Sequence, residues 1–189
     1  APRLGTERLY AAKIDFERTE FAPGRENLVA RLHGDGSQPP ILLLAHTDVV
    51  GAEGQAWSSD PHVVTAKDGY LFGRGVEDDL GMAALILEVL VLLHEAQTPL
   101  ARDVILAWTG DEESGGGGIR HLLKEQADSL RAAFALNEGG MLRLGDAGLP
   151  TWIELQTAEK SYQDYELVAR GDTGHSSVPL ANNSIYRLA

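Results

Sequence analysis

Thr109-Gly110-Asp111-Glu112-Glu113-Ser114-Gly115-Gly116-Gly117-Gly118 is the stretch from which the fold reads outward. Upstream of it, Val104-Ile105-Leu106-Ala107-Trp108 is short and continuously apolar, the pattern of a buried strand. Downstream, Ile119-Arg120-His121-Leu122-Leu123 has helical spacing and predicts a helix to about Gln126. The acids therefore stand at a strand-to-helix junction, where glycines allow a sharp turn and close approach to other groups. Two adjacent carboxylates there can divide labour, one binding a metal cation while its unligated neighbour handles a proton. Taken alone, such an acidic run is more often a solvated turn, so the reading depends on the rest of the chain.

The pattern recurs on both sides. Pro39-Pro40 leads into Ile41-Leu42-Leu43-Leu44-Ala45, expected to be an inner strand buried on both faces that delivers His46 at its C-terminal end. Gly73-Arg74-Gly75-Val76-Glu77-Asp78-Asp79 leads into an apolar helix from about Leu80 to Ala96, closed by Pro99. Ala132 to Leu136 reads as another strand, with Glu138-Gly139-Gly140 directly after it. Asn27 to Leu32 predicts a strand ended by the turn Gly34-Asp35-Gly36-Ser37, and Val63 to Phe72 a hairpin turning at Asp68-Gly69. Residues 1 to 26 read as one irregular or helical piece followed by a turn at Pro23-Gly24. Strands alternating with helices imply an α/β sheet with helices on its faces, in which ligands bind beyond the carboxyl ends of strands. Beyond about residue 158 the texture changes: Tyr162 to Arg170 alternates like a half-exposed strand, Gly171 to Ser177 is a loop, and Asn182 to Ala189 begins a helix. A second domain is expected to open there.

Composition narrows the partners. With 189 residues, the chain is long enough to bury a sizeable core. Sixteen Lys+Arg against 28 Asp+Glu leaves a net charge of −12, which argues against nucleic acid or an anionic membrane and fits a metal site of oxygen ligands. There is no cysteine, so thiolate sites and disulfides are excluded. The most apolar run, Met82 to Leu93, is too short to span a bilayer and carries Glu88, and Ala1 to Gly5 lacks a signal-peptide pattern.

Four separated elements thus place ligands just past a strand or just before a helix: His46 with Asp48, Asp78 with Asp79, Glu112 with Glu113, and Glu138. One imidazole and several carboxylates suit zinc, cobalt or manganese. In His46-Thr47-Asp48 a carboxylate two residues on can accept the second imidazole N–H and fix the metal-binding tautomer. So many acids suit two metals, ~3.5–4 Å apart, that share a bridging carboxylate.

His46-Thr47-Asp48-Val49-Val50, Gly73-Arg74-Gly75-Val76-Glu77-Asp78, Asp111-Glu112-Glu113-Ser114-Gly115, Glu138-Gly139 and Gly174-His175-Ser176-Ser177-Val178-Pro179 follow one another in order. Over roughly residues 27 to 189 the chain thereby resembles the co-catalytic zinc amidohydrolases of clan MH, which include aminoacylases, Gly-X carboxypeptidases, glutamate carboxypeptidase and succinyl-diaminopimelate desuccinylase. The resemblance implies a mixed, mostly parallel sheet flanked by helices, with a catalytic metal-binding domain over 1–157 and the start of a small α+β lid or dimerisation domain over 158–189. It implies that His46 and Glu138 hold one zinc, Glu113 the other, and Asp78 bridges both, with Asp48 orienting His46. Glu112 would be the general base toward a metal-bridging hydroxide and would return the proton to the leaving amine. His175, from the lid and often from a partner subunit, would stabilise the oxyanion or the substrate carboxylate. The implied reaction is cleavage of an amide beside a free carboxylate, in a peptide or an N-acyl amino acid, by a homodimeric parent enzyme. Glu at 138 and Glu159-Lys160 point toward the aminoacylase and Gly-X carboxypeptidase branch. The chain departs from the family at Leu80, where a lysine is usual, and at His62, where a phenylalanine is usual. A further histidine ligand of the family lies downstream of Ala189, so the chain is expected to be an internal fragment, inactive by itself.

The rival from another class is a non-enzymatic relative that keeps the fold as a binding or dimerising module. Against it, buried acids repel one another and a retired site has no physical reason to keep them together. His33 reads as a solvated turn residue, His94 and His121 as surface or packing residues of helices, and Trp57 as packed or lining the site mouth. Arg74, close in sequence to many acids, is expected in a structural ion pair.

Overall fold

Residues 2–158, 163–175, 177, 178 and 180–189 are described by a computed structural model. Two compact units emerge, Ala1–Gly139 and Gly140–Ala189, so the expected domain boundary at 157/158 falls inside the second.

In the first unit the elements run α1 (Pro2–Ala12), β1 (Phe16–Ala22), β2 (Arg25–Leu32), β3 (Ile41–His46), β4 (Thr65–Lys67), β5 (Tyr70–Phe72), α2 (Leu80–Glu95), β6 (Val104–Thr109), α3 (Gly117–Glu125), a 3₁₀ turn (Ala127–Leu130) and β7 (Phe134–Leu136). Five strands form one sheet in the order β1-β2-β6-β3-β7. β3 pairs in parallel with both β6 and β7, whereas β2 is antiparallel to β1 and to β6, so only β2 runs against the other four. This is the mixed sheet expected. The apolar run Val104–Thr109 occupies its centre and is buried at every position.

Period-two alternation sorts the core into two layers. Leu28, Ala30, Ala45, Leu106 and Trp108 pack with Leu9 of α1 and with Ala83, Leu87, Leu90 and Val91 of α2. On the other face Leu42, Ile105 and Ala107 meet Leu122 of α3 and Leu130 of the 3₁₀ turn. The sheet is therefore flanked by helices on both sides. β3 is less enclosed than its sequence suggests: Ile41, Leu43 and Leu44 are only partly buried.

Residues 16–22 form a strand where the sequence reads as irregular or helical. Phe16, Glu17, Arg18, Thr19 and Glu20 pair with β2 through a turn at Gly24, which takes φ 72°. Edge position explains the charged residues: only one side of β1 is paired, and its outer side chains stay in water. The β4–β5 hairpin turns at Asp68-Gly69 as expected, both at positive φ.

In the second unit, β8 (Met141–Leu144) and β9 (Pro150–Glu154) form an antiparallel hairpin that the sequence reading does not anticipate. Its short strands alternate poorly and lie largely exposed. The strand expected from Tyr162 is not found over 163–170, which form no regular structure. α4 (Ser184–Leu188) is capped by the Asn183 side chain, which accepts from the Ile185 N–H at 2.9 Å. Glu159 and Lys160 lie outside the described residues, as do Ser176 and Pro179 of the histidine loop.

Candidate metal centre

β3, β6 and β7 are parallel neighbours, so their carboxyl ends converge on one edge of the sheet. His46 ends β3, the acids of 111–113 follow β6, and Glu138 follows β7. A backbone bond from Thr47 N–H to Thr109 C=O, 2.8 Å, carries the β3–β6 pairing one step past the strand ends. The fourth contributor, Asp78-Asp79, precedes α2 through a cis peptide.

The His46 ring is 2% exposed. Its Nε2 lies 2.8 Å from Asp78 Oδ1 and 3.4 Å from Glu138 Oε1. His46, Asp78 and Glu113 bring donor atoms within 4.8 Å of one another, and so do His46, Asp79 and Glu138. The structure thus gathers His46, Asp78, Glu113 and Glu138 from four segments, with His46 common to both groups. Asp79, a candidate ligand beside Asp78 in the sequence but given no role by the family resemblance, joins them. Fully buried, it also accepts the backbone N–H of His46 at 3.1 Å.

Asp48 lies where expected but divides its contacts differently. Its backbone carbonyl, 3.0 Å from His46 Nδ1, is the nearer partner of the ring, and its carboxylate Oδ1 lies 3.6 Å away. The carboxylate instead accepts the backbone N–H groups of Glu112 at 3.0 Å and Glu113 at 3.1 Å. One residue therefore favours the imidazole tautomer that presents Nε2 to the acids and ties the acidic loop to β3. His175 belongs to the second unit, where its Nδ1 lies 2.8 Å from Ser177 Oγ.

Burial lifts the Glu112 carboxyl above its ordinary range; His46 opposes this, and Glu113, Asp48 and Asp78 add to it. Burial also raises Glu138, reinforced by Asp79, Asp78 and Glu112, and it raises Asp79. For His46, burial is the largest influence and disfavours the charge, yet Asp78 and Glu138 outweigh it and the ring binds its proton more tightly than usual. Among the described residues, no Lys or Arg ion-pairs with Asp78, Asp79, Glu112, Glu113 or Glu138. A half-buried set of carboxylates around one imidazole, short of positive charge, is a donor set that fits divalent cations.

Arg74 makes none of the expected ion pairs among these acids: its guanidinium stacks 5.4 Å from the Trp57 ring and donates to Gln55 Oε1 at 2.6 Å. Trp57 is half-buried, and its Nε1–H donates to the same Gln55 Oε1 at 3.2 Å. His33 is 74% exposed but reaches Asp103 at 3.2 Å, and His121 packs 6.4 Å from Phe21.

Comparison with known proteins agrees with this geometry. Residues 42–184 match the model of peptidase family M20/M25/M40. The chain is 32% identical over 160 residues to human N-fatty-acyl-amino acid synthase/hydrolase PM20D1, covering 82% of this chain and 32% of that protein. It is 32% identical over 182 residues to succinyl-diaminopimelate desuccinylase of Delftia acidovorans, covering 90% of this chain and 45% of that protein. The M20 family metallo-carboxypeptidase Sso-CP2 of Sulfolobus solfataricus superposes with a TM-score of 0.64 at 21% identity, over 78% of this chain and 33% of that one, and shares the fold. The chain thus spans less than half the length of these relatives. With matched residues running from β3 through all the acids gathered around His46 to the start of α4, the chain belongs to peptidase family M20/M25/M40.

Proposed function

We propose that the protein of which this chain is part is a metal-dependent hydrolase of an amide bond beside a free carboxylate, in a peptide or an N-acyl amino acid. The observation that carries this reading is that His46 shares its Nε2 side with two groups of carboxylates while Glu112 stands beside them, outside both groups, at the carboxyl end of β6. His46 and Glu138 would hold one zinc, Glu113 the second, and Asp78 would face both; cobalt or manganese suits the same donors. Bound there, the cations would supply an acidified water and polarise the scissile carbonyl.

The chain's own residues do the rest. Asp48 holds the Glu112 and Glu113 amides, which aims both side chains from one anchored backbone. Glu112 Oε takes the proton from the attacking water and returns it to the leaving amine nitrogen. Burial raises its proton affinity, which favours taking the proton from water. His175 is assigned to the oxyanion or the substrate carboxylate on its Gly174-His175 motif. The parent is proposed to act as a homodimer on the same resemblance. Glu112→Gln in the full-length protein tests the reading: turnover falls by ~10²–10⁴ while bound zinc stays at the wild-type level. Retained turnover would overturn it.

The binding-module reading is disfavoured by the same electrostatics. Burial raises Glu112, Glu138 and Asp79 together, a cost to folding that their contacts with His46 only partly offset.

A further inference from the structure

The loop that carries Glu112 is held from a second side, by residues of β2 that lie outside every motif of the metal centre. Asn27 is 0% exposed. Its Oδ1 accepts the Gly110 N–H at 3.3 Å and its Nδ2 donates to the Gly118 C=O at 3.0 Å. The Gly118 N–H in turn donates to the Gly110 C=O at 3.2 Å, so residues 110–118 form a closed loop whose two ends are pinned by one buried amide. No side chain fits at 118, where a Cβ would lie 2.3 Å from the Gly110 oxygen and 2.6 Å from Asn27 Oδ1. Two residues earlier on the same face of β2, Arg25 ion-pairs with Asp111. Asp111 sits at φ 70°, its carboxylate accepts the Gly117 N–H at 3.2 Å, and its carbonyl accepts the Gly115 N–H at 3.1 Å.

We infer that Asn27 and Arg25 are positioning residues for Glu112, acting through the Gly110–Gly118 loop; this rests on the general-base reading above. Asp48 grips the loop at Glu112 and Glu113 from β3, and β2 grips the residues on either side of them. The Glu112 backbone is thereby fixed between two strands of the sheet. A buried polar amide with both functions satisfied is costly to place and rigid once placed, which suits a side chain that must meet a proton at one point.

The test uses the full-length protein loaded with zinc, assayed on an N-acetyl amino acid and a dipeptide, with zinc content measured on every variant. Asn27→Leu removes both amide bonds at similar volume, and Arg25→Gln, at a half-exposed position, leaves the core untouched and decides the matter if the first variant does not fold. Each is expected to lower kcat by ~10–100-fold with KM and bound zinc within about twofold of wild type. On a Glu112→Asp background, where the base is already displaced by a methylene, the further loss shrinks to about twofold. Wild-type kcat in a zinc-replete variant, loss of zinc in Arg25→Gln, or full multiplication of the losses on the Glu112→Asp background would overturn the inference. Failure of the general-base reading shows separately, as turnover that survives Glu112→Gln.

Discussion

Asp103 and the acids around His46 occupy opposite ends of the same sheet, and their environments are inverted. Asp103 precedes β6; its carboxylate accepts from the Gly34 N–H at 2.9 Å and from Arg31 at 2.8 Å, with His33 at 3.2 Å. These partners, the Gly34 amide first and Arg31 next, hold its carboxyl below the ordinary range. At the other end, burial and mutual repulsion hold Glu112, Glu138 and Asp79 above it. One end is a finished electrostatic unit that ties β2 to β6. The other is short of positive charge, a donor set that fits divalent cations.

The contrast can be broken most severely at His46, the donor common to both groups. His46→Gln is expected to abolish zinc retention and to reduce turnover to background, measured by metal content and initial rate on the full-length protein. Chelation should act on one end only: removing zinc lowers the thermal midpoint of the wild type, with a loss of about 2.7 kcal/mol of stability if the free metal had stood at 100 times its dissociation constant, and leaves His46→Gln unchanged. Asp48→Asn replaces one of two accepting oxygens with a donor facing an N–H, and is expected to cost ~10–100-fold in turnover with the fold retained. Equal activity in that variant would remove Asp48 from the design of the loop.

At the Asp103 end the expected effect is on stability alone. Asp103→Asn should destabilise by about 1–3 kcal/mol, read by urea unfolding, while zinc content and kcat stay at wild type. Its pH dependence has a definite sign. The folded carboxyl lies below its unfolded value, so its contribution is fully present above the unfolded pKa of ~3.9 and is lost as pH falls through the folded one. The gap between wild type and Asp103→Asn should therefore close on acidification below about pH 4.

Much of this was legible in the residues. Continuous apolar runs marked β3 and β6 because a strand covered on both faces has no side to leave polar, and Leu80 onward marked α2 by length and composition. The edge strand β1 was not legible, since charged side chains on an edge erase the alternation that identifies a strand. The β8–β9 hairpin was missed for a similar reason, being exposed throughout. Asn27 gave one weak signal, a polar residue just ahead of Leu28-Val29-Ala30, and nothing local tells what a buried amide bonds to. No helix of the described residues is long and apolar enough to cross a membrane.

By itself the sequence determined the kinds of donor, their order along the chain, and their places at the ends of strands and the start of a helix, because local periodicity and ligand chemistry are properties of short segments. Only the tertiary structure decided which donors share His46, that the Asp48 carbonyl rather than its carboxylate lies nearer the ring, and that Asn27 and Arg25 hold the loop of Glu112. Those are contacts between segments up to about ninety residues apart, set by strand order and register. No short window of sequence contains them.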